Sequence, residues 1–213
     1  MRRFGKVVRM AGGLVLAVGI ARAPVAAFGA PASARIDAAS LVKSDDPVLG
    51  NAHGTVTIVD FYDIRCVPCR AANLAIEKLL KTDHFIRYVP IDYPLLGQAS
   101  VVGAKALLGA AIQGQYAALH EILMHQTAIP SAAVLEHDAE SIGLDWPRLE
   151  IDMDGDRVAA HLEANMRLGR ALGIKRVPVL FIGSQRINGA LSYQDLRSVV
   201  GQAEKAAAGH TRS

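Results

Sequence analysis

The pattern of apolar and polar residues predicts a strand, a helix and a second strand in the first half of the chain. Val56–Tyr62 is rich in β-branched and aromatic residues, which suits a buried strand. Directly after residues 66–69, apolar residues recur at the spacing of one helix face: Ala72, Ile76, Leu79 and Leu80. The run Phe85–Ile91 then predicts a second strand, which the turn residues 92–94 would end.

Residues 98–172 change to a helical pattern dominated by Ala, Leu, Gln and Glu. The predicted helices are Ser100–Gln113, Tyr116–His125, Ser131–Ile142 and Asp156–Leu172. Asp154 or Asp156 is expected to cap the last of them. The segment 152–156 resembles a calcium-binding loop only superficially, because its glycine and its distal glutamate do not match that motif.

The last part of the chain predicts a β-hairpin and a helix. Val177–Ile182 reads as a strand, and a glycine-containing turn leads to a second short strand that ends near Gly189. Ser192 is expected to cap a final helix from Tyr193 to about Ala207. Strands and helices are therefore mixed, with a purely helical stretch between the second and third predicted strands.

Residues 1–32 have the three parts of a secretory signal peptide: a basic start, an apolar run from Met10 to Ile20, and small residues. Cleavage after Ala27 or after Ala32 fits the pattern equally well. An uncleaved membrane anchor is the alternative, although the run is shorter than the roughly 20 residues of a typical span. Export predicts a periplasmic location.

Charge and composition exclude some classes of function. Half of the residues are hydrophobic (51%) and a fifth are charged (20%), as in a globular protein. Residues 1–32 hold five of the 23 lysines and arginines and no acid, so the remainder has 18 basic against 20 acidic residues. No basic stripe remains, and we expect no nucleic-acid partner.

The chain has two cysteines, in the segment Cys66-Val67-Pro68-Cys69. A C-x-x-C pair between a predicted strand and a predicted helix is typical of a thioredoxin-type redox motif. The free N–H groups and partial positive charge at the start of a helix favour a thiolate at Cys66, and the thiolate is the nucleophile. A permanent structural disulfide or half of a metal site are the alternatives, but zinc would need further ligands at matching spacing. The nearby His120 and His125 are five residues apart and do not match H-E-x-x-H.

Several segments together resemble the DsbA-like thiol–disulfide oxidoreductases of the thioredoxin superfamily. The resemblance covers about Asp45 to Val200 and lies in these residues: Asp46–Asn51, Val56–Cys69, Tyr93–Gly97, Tyr116 with His120 and Glu121, and Gly173–Val179. It implies an α/β thioredoxin fold with an inserted helical domain. Residues 33–97 and 173–208 would form the two parts of the thioredoxin domain, and residues 98–172 the insertion.

The resemblance also implies roles for individual residues. Pro178 would be cis and lie beside Cys66, and the backbone of Val177 would pair with an extended substrate strand. Asp60 occupies the position, six before the first cysteine, where family members often carry an acid; the alternative is a strand-end acid that faces solvent.

These residues define a hypothesis of disulfide exchange without a metal or organic cofactor. Cys66 would form a mixed disulfide with exported protein substrates, Cys69 would resolve it, and Asp60, its pKa raised by burial, would take or return the proton at Cys69. A membrane redox partner would reoxidise or reduce the pair.

The direction of electron flow stays open because the dipeptide Val67-Pro68 departs from the family. Family oxidases often carry histidine before the second cysteine, and Pro68 cannot donate a hydrogen bond. A less stabilised thiolate makes a weaker oxidant, so a reductase or isomerase is the alternative. One further alternative is a thiol module that binds copper or another soft metal, which Met124 and Met166 could join. Another is a helical partner-binding domain with a vestigial cysteine pair.

Overall fold

A mixed five-stranded sheet lies at the centre of the computed structural model, which describes residues 36–210. The strands are β1 (Leu49–Gly50), β2 (Val56–Tyr62), β3 (Ile86–Asp92), β4 (Val179–Ile182) and β5 (Gln185–Asn188). Their order across the sheet is β1-β3-β2-β4-β5, with β2 and β3 parallel and the other pairs antiparallel. The predicted signal peptide, residues 1–32, lies outside the described residues.

Helices cover both faces of the sheet. They are α1 (Val67–Leu80), α2 (Gln98–Ile112), α3 (Tyr116–His125), α4 (Ala132–Ser141), α5 (Trp146–Asp154), α6 (Asp156–Ala171) and α7 (Tyr193–His210), with a short 3-10 helix at Ala38–Leu41. One face packs against α1 and α7, and the other against the 3-10 helix and α6. Every residue of β2 is buried, because a central strand covered on both sides has no polar face. Among residues 36–210, no helix is both long and apolar enough to cross a lipid bilayer.

Helices α2 to α6 follow β3 and precede β4 in the chain. Helix α2 packs against α3, α5 and α6. Apolar side chains of this helical segment join Ile64, Cys66 and Cys69 in one hydrophobic cluster. The helical segment therefore contributes directly to the core beneath the cysteine pair.

The structure corrects two details of the predicted helices. Helix α5 was not expected; Asp145 caps it by accepting the Arg148 N–H at 3.1 Å, and Pro147 occupies its first turn, where a missing N–H costs nothing. The predicted cap of α6 is wrong: Asp154 is the last residue of α5, Asp156 lies inside the first turn of α6, and Gly155 is the N-cap residue. The predicted cap of α7 is confirmed, because Ser192 Oγ accepts the Asp195 N–H at 3.2 Å.

The predicted strand ends also shift slightly. Strand β3 begins at Ile86 and continues to Asp92. Phe85, the first residue of the predicted strand, lies before β3 and is 63% exposed. Strand β4 begins at Val179, two residues later than predicted, because Val177 and Pro178 form a separate connection. The Val177–Pro178 peptide bond is cis, as the resemblance implies.

Gly169 on α6 allows a close contact with the segment that leaves β3. A methyl group at this position would overlap the ring of Tyr93. That ring is buried, and its hydroxyl donates to the carbonyl of Ile174 at 3.1 Å, so it cannot easily move away. Gly201 on α7 differs, because a methyl group there would meet no atom within 4 Å.

We expect Gly169→Ala to destabilise the protein by about 1–3 kcal/mol through overpacking. The matched variant Gly201→Ala should be neutral or stabilise by about 0.5–1 kcal/mol, because alanine favours the helix. Urea denaturation of both variants measures the difference. Equal stability of the two variants would contradict the contact between α6 and Tyr93.

Candidate redox site

Cys66 and Cys69 form a disulfide bond at the start of α1, with their Cα atoms 5.1 Å apart. Cys66 is the N-cap residue of the helix, and its Sγ accepts the backbone N–H of Cys69 at 3.2 Å. The side chain of Cys66 therefore occupies the place that a capping oxygen takes in other helices. Cys66 is 5% exposed and Cys69 is fully buried, so Cys66 is the sulfur that a reactant can reach.

Asp63 holds the loop that leads from β2 to Cys66. Its carboxylate accepts the backbone N–H groups of Arg65 at 2.8 Å, Leu95 at 2.8 Å and Leu96 at 2.9 Å. Its carbonyl accepts the N–H of Cys66 at 3.0 Å. One buried acid thus fixes two loops that are about 30 residues apart in the chain. Asp63 is not among the predicted site residues, although an aspartate just after a strand is a recognised turn signal.

The loop before β4 lies against Cys66. The carbonyl oxygen of Val177 is 3.5 Å from Cys66 Sγ, Pro178 is buried, and Val177 is half-buried. Antiparallel pairing sets Val179 beside Phe61, so the start of β4 meets the end of β2. Val67 and Pro68 lie on the exposed outer side of the first turn of α1.

Asp60 is buried beneath α1. It shares one sheet face with Ile58 and Tyr62, and it is 1% exposed, so the alternative of a solvent-facing acid is wrong. Tyr88 donates a hydrogen bond to its Oδ2 at 3.2 Å, and its Oδ1 has no hydrogen-bond partner among residues 36–210. Burial raises the pKa of Asp60 to about 7, and the Tyr88 hydrogen bond opposes this rise.

A second buried acid, Asp92, ends the neighbouring strand β3. It accepts the hydroxyl of Tyr62 at 2.6 Å and that of Tyr116 at 3.1 Å. Burial raises its pKa also to about 7, while the two tyrosine hydrogen bonds oppose the rise. His120 stacks on Tyr116, and burial lowers its pKa to about 3, so this imidazole is neutral. The sequence pattern predicts only a turn at Asp92.

The two methionines proposed to join the cysteines in a soft-metal site lie in different parts of the core. Met124 is buried in the cluster that contains both cysteines, whereas Met166 packs in a different cluster on the opposite face of the sheet. In the part of the chain that the structure describes, the group with a metal-like composition is Asp45, Asp46 and His161. The Lys43 ammonium is already 3.2 Å from Asp46, and the two ring nitrogens of His161 face different carboxylates at 3.0 and 3.1 Å. This group is a set of close polar contacts, with Lys43–Asp46 as the ion pair, that ties α6 to the segment before β1.

Comparison with known proteins agrees with this geometry. A thioredoxin family model matches residues 43–202. A thioredoxin-like oxidoreductase from Silicibacter pomeroyi is 33% identical with a TM-score of 0.73, over 78% of this chain and 95% of that one. The thiol-disulfide exchange protein alpha-DsbA2 from Wolbachia pipientis is 27% identical with a TM-score of 0.71, over 75% and 88% of the two chains. The chain belongs to the DsbA-like thiol–disulfide oxidoreductases of the thioredoxin family, and the fold class expected from the sequence is confirmed.

A curated relative is a much longer protein. The Na(+)/H(+) antiporter NhaA 3 of Salinispora tropica is 28% identical over 158 residues, which are 73% of this chain and 24% of the antiporter. The chain spans about a quarter of the length of that relative. The likeness carries no transport function over to this chain.

We expect Asp60→Asn to stabilise the protein at alkaline pH. The unfolded chain releases the Asp60 proton near pH 3.8, but the folded protein holds it up to about pH 7. Between these values the folded state binds more protons, so the stability of the wild type falls as the pH rises. The variant lacks this loss and should exceed the wild type by on the order of 2–4 kcal/mol at about pH 8, with no difference near pH 4.

Urea denaturation across this pH range measures the effect. Glu150→Gln, which removes an exposed carboxylate on α5, is the matched control. Its free energy of unfolding should equal that of the wild type at both ends of the pH range. A constant difference between Asp60→Asn and the wild type at all pH values would refute the buried titration.

Proposed function

We propose that the protein is an exported thiol–disulfide oxidoreductase that exchanges disulfides with other envelope proteins through Cys66 and Cys69. The observation that carries this proposal is the bonded pair at the start of α1, with Cys66 Sγ 3.5 Å from the Val177 carbonyl. The start of the helix favours the thiolate form of Cys66, which the reaction needs. The similarity to alpha-DsbA2, a thiol-disulfide exchange protein, supports the same class of reaction.

In the oxidising direction, a substrate thiolate attacks Cys66 Sγ. The Cys66–Cys69 bond breaks, a mixed disulfide forms at Cys66, and Cys69 leaves as a thiolate. Asp60 gives its proton to Cys69, because its raised pKa keeps it protonated up to about neutral pH. A second substrate thiolate then attacks the substrate sulfur and releases Cys66. Two electrons pass to the cysteine pair, and a membrane redox partner removes them. Reduction of a substrate follows the same steps in reverse, with Cys69 as the resolving thiol.

Val177 and Pro178 form the wall of the substrate groove. The carbonyl of Pro178 accepts the Gly189 N–H at 2.9 Å, so the backbone of Pro178 is already used within the fold. Val177 precedes β4 and belongs to none of the strands in residues 36–210. Its backbone can therefore pair with an extended substrate segment whose sulfur meets Cys66.

The signal-peptide pattern of residues 1–32 supports export to the periplasm. We assign residues 98–172 to an inserted helical domain and the flanking parts, 33–97 and 173–208, to the thioredoxin domain. The hydrophobic cluster shared by α2–α5 and the cysteine pair supports a role of the insertion in building the redox site.

Cys66→Ser should abolish catalysis of insulin reduction by dithiothreitol, because no mixed disulfide can form. Cys69→Ser should instead accumulate mixed disulfides, because Cys66 still attacks substrate disulfides but the resolving sulfur is missing. Ala71→Ser, on the exposed side of α1, is the matched control and should remain active. Mass spectrometry identifies the trapped adducts. The assignment fails if Cys66→Ser retains the wild-type rate.

Pro68→His should make the protein more oxidising, because an imidazole beside Cys66 stabilises the reduced, thiolate form. Equilibration with glutathione buffers should show a change of about tenfold in the equilibrium constant, or about 30 mV. Ala71→His places the same side chain one turn further along α1 and should change the constant much less. No difference between the two histidine variants would show that position 68 does not set the direction of electron flow.

A further inference from the structure

The carboxyl group of Asp60 is held on one side only. Its Oδ2 accepts the hydroxyl of Tyr88 at 3.2 Å, while its Oδ1 has no hydrogen-bond partner in the described residues. Tyr88 lies on β3, on the same face of the sheet as Asp60, and both side chains are at most 1% exposed. Tyr88 packs with Ile76 and Leu79 of α1 in one cluster, so its ring is held between the sheet and α1.

We propose that Tyr88 is a positioning residue for disulfide exchange. Its hydroxyl donates a hydrogen bond to Oδ2 of Asp60, so that Oδ1 carries the proton exchanged with Cys69. This inference rests on the proposed function. A carboxylic acid has one proton for two oxygens, and an oxygen that already accepts a hydrogen bond is the poorer place for it. Tyr88 thereby selects the oxygen that reacts, without itself touching the substrate.

The hydrogen bond also stabilises the charge that the reaction creates. When Cys69 leaves as a thiolate, the Oδ1–H bond breaks, an S–H bond forms, and Asp60 becomes a carboxylate. The Tyr88 hydroxyl then donates to an ionised oxygen, which makes a stronger hydrogen bond than it makes to the neutral acid. Burial and the neighbouring Asp60 raise the pKa of Tyr88 well above its usual value, so Tyr88 stays a donor across the whole working range of pH.

Among residues 36–210, few other ionisable groups act on Asp60 and Tyr88. Asp92 on β3 and Glu77 on α1 act on Tyr88 electrostatically, and each disfavours its ionisation further. Strand β4 contributes Leu180, the apolar cross-strand neighbour of Asp60. On α1, the buried Cys69 is the redox group itself. Tyr88 is therefore the side chain whose removal should change the titration of Asp60 most.

Tyr88→Phe should raise the pH midpoint of Asp60 by about one unit, because the carboxylate loses a hydrogen bond and the neutral acid loses less. The readout is the pH profile of single-turnover reduction of a protein disulfide by the reduced enzyme, from about pH 5 to about pH 9. The rate should fall on the acid side, since less Asp60 is ionised to accept the Cys69 proton.

Tyr62→Phe is the matched control. It removes a buried tyrosine hydroxyl from the same sheet face, but that hydroxyl donates to Asp92. Its profile should stay within about 0.3 pH units of the wild type. In an Asp60→Asn background, Tyr88→Phe should produce no further shift. An unshifted profile for Tyr88→Phe, or the same shift for Tyr62→Phe, overturns the inference.

Carboxyl ¹³C NMR titration of Asp60 in the oxidised protein separates this inference from the proposed function. It requires no turnover, so the shift in Tyr88→Phe can be measured even if the wild type exchanges no disulfides, which would refute the function alone. If Tyr88→Phe does not fold, 3-fluorotyrosine at position 88 gives the opposite test. It is a nearly isosteric but stronger donor, and it should lower the midpoint of Asp60; an unchanged midpoint overturns the inference.

Discussion

Burial of β2 on both faces is the constraint on which the site depends. β2 ends at Tyr62, and the chain then turns at Asp63 and continues into α1. Because β4 pairs antiparallel with β2, its first residues arrive at the same edge and bring Val177 to Cys66. The cysteine pair and the proline loop therefore meet as a result of sheet topology.

The same constraint carries acids into the interior. Asp60 and Asp92 lie on a face that α1 and the helical segment cover, and burial alone would make each carboxylate costly. Burial raises the pKa of each acid to about 7, although tyrosine hydroxyls that donate to both acids oppose the rise. Each is therefore neutral below about pH 7 and can ionise above it. In the proposed reaction, the lost stability at alkaline pH is the cost of keeping a proton donor for Cys69, which must leave as an anion. A core of apolar residues would be more stable there but could not exchange a proton.

Local patterns predicted the parts of the fold that depend on local physics. The strand–C-x-x-C–helix segment, four helices of the middle region and the cap at Ser192 follow from periodicity and capping residues. Helix α5 was not predicted because proline inside a helix usually ends it. Pro147 lies at the start of α5, where proline is well tolerated. Asp63 and Tyr88 could not be assigned because their partners lie about 30 residues away in the chain. The resemblance to the DsbA-like family pointed to Asp60. Its burial depends on the packing of helices on the sheet, which the sequence pattern does not show.

Tyr93 joins three parts of the molecule through one side chain. Its ring fills the space that Gly169 leaves on α6, and its hydroxyl holds Ile174, four residues before Pro178. The end of α6 therefore sets where the proline loop starts its path toward the sulfur. A displacement of α6 would therefore move the start of the proline loop, and with it the Val177 carbonyl that lies 3.5 Å from Cys66 Sγ.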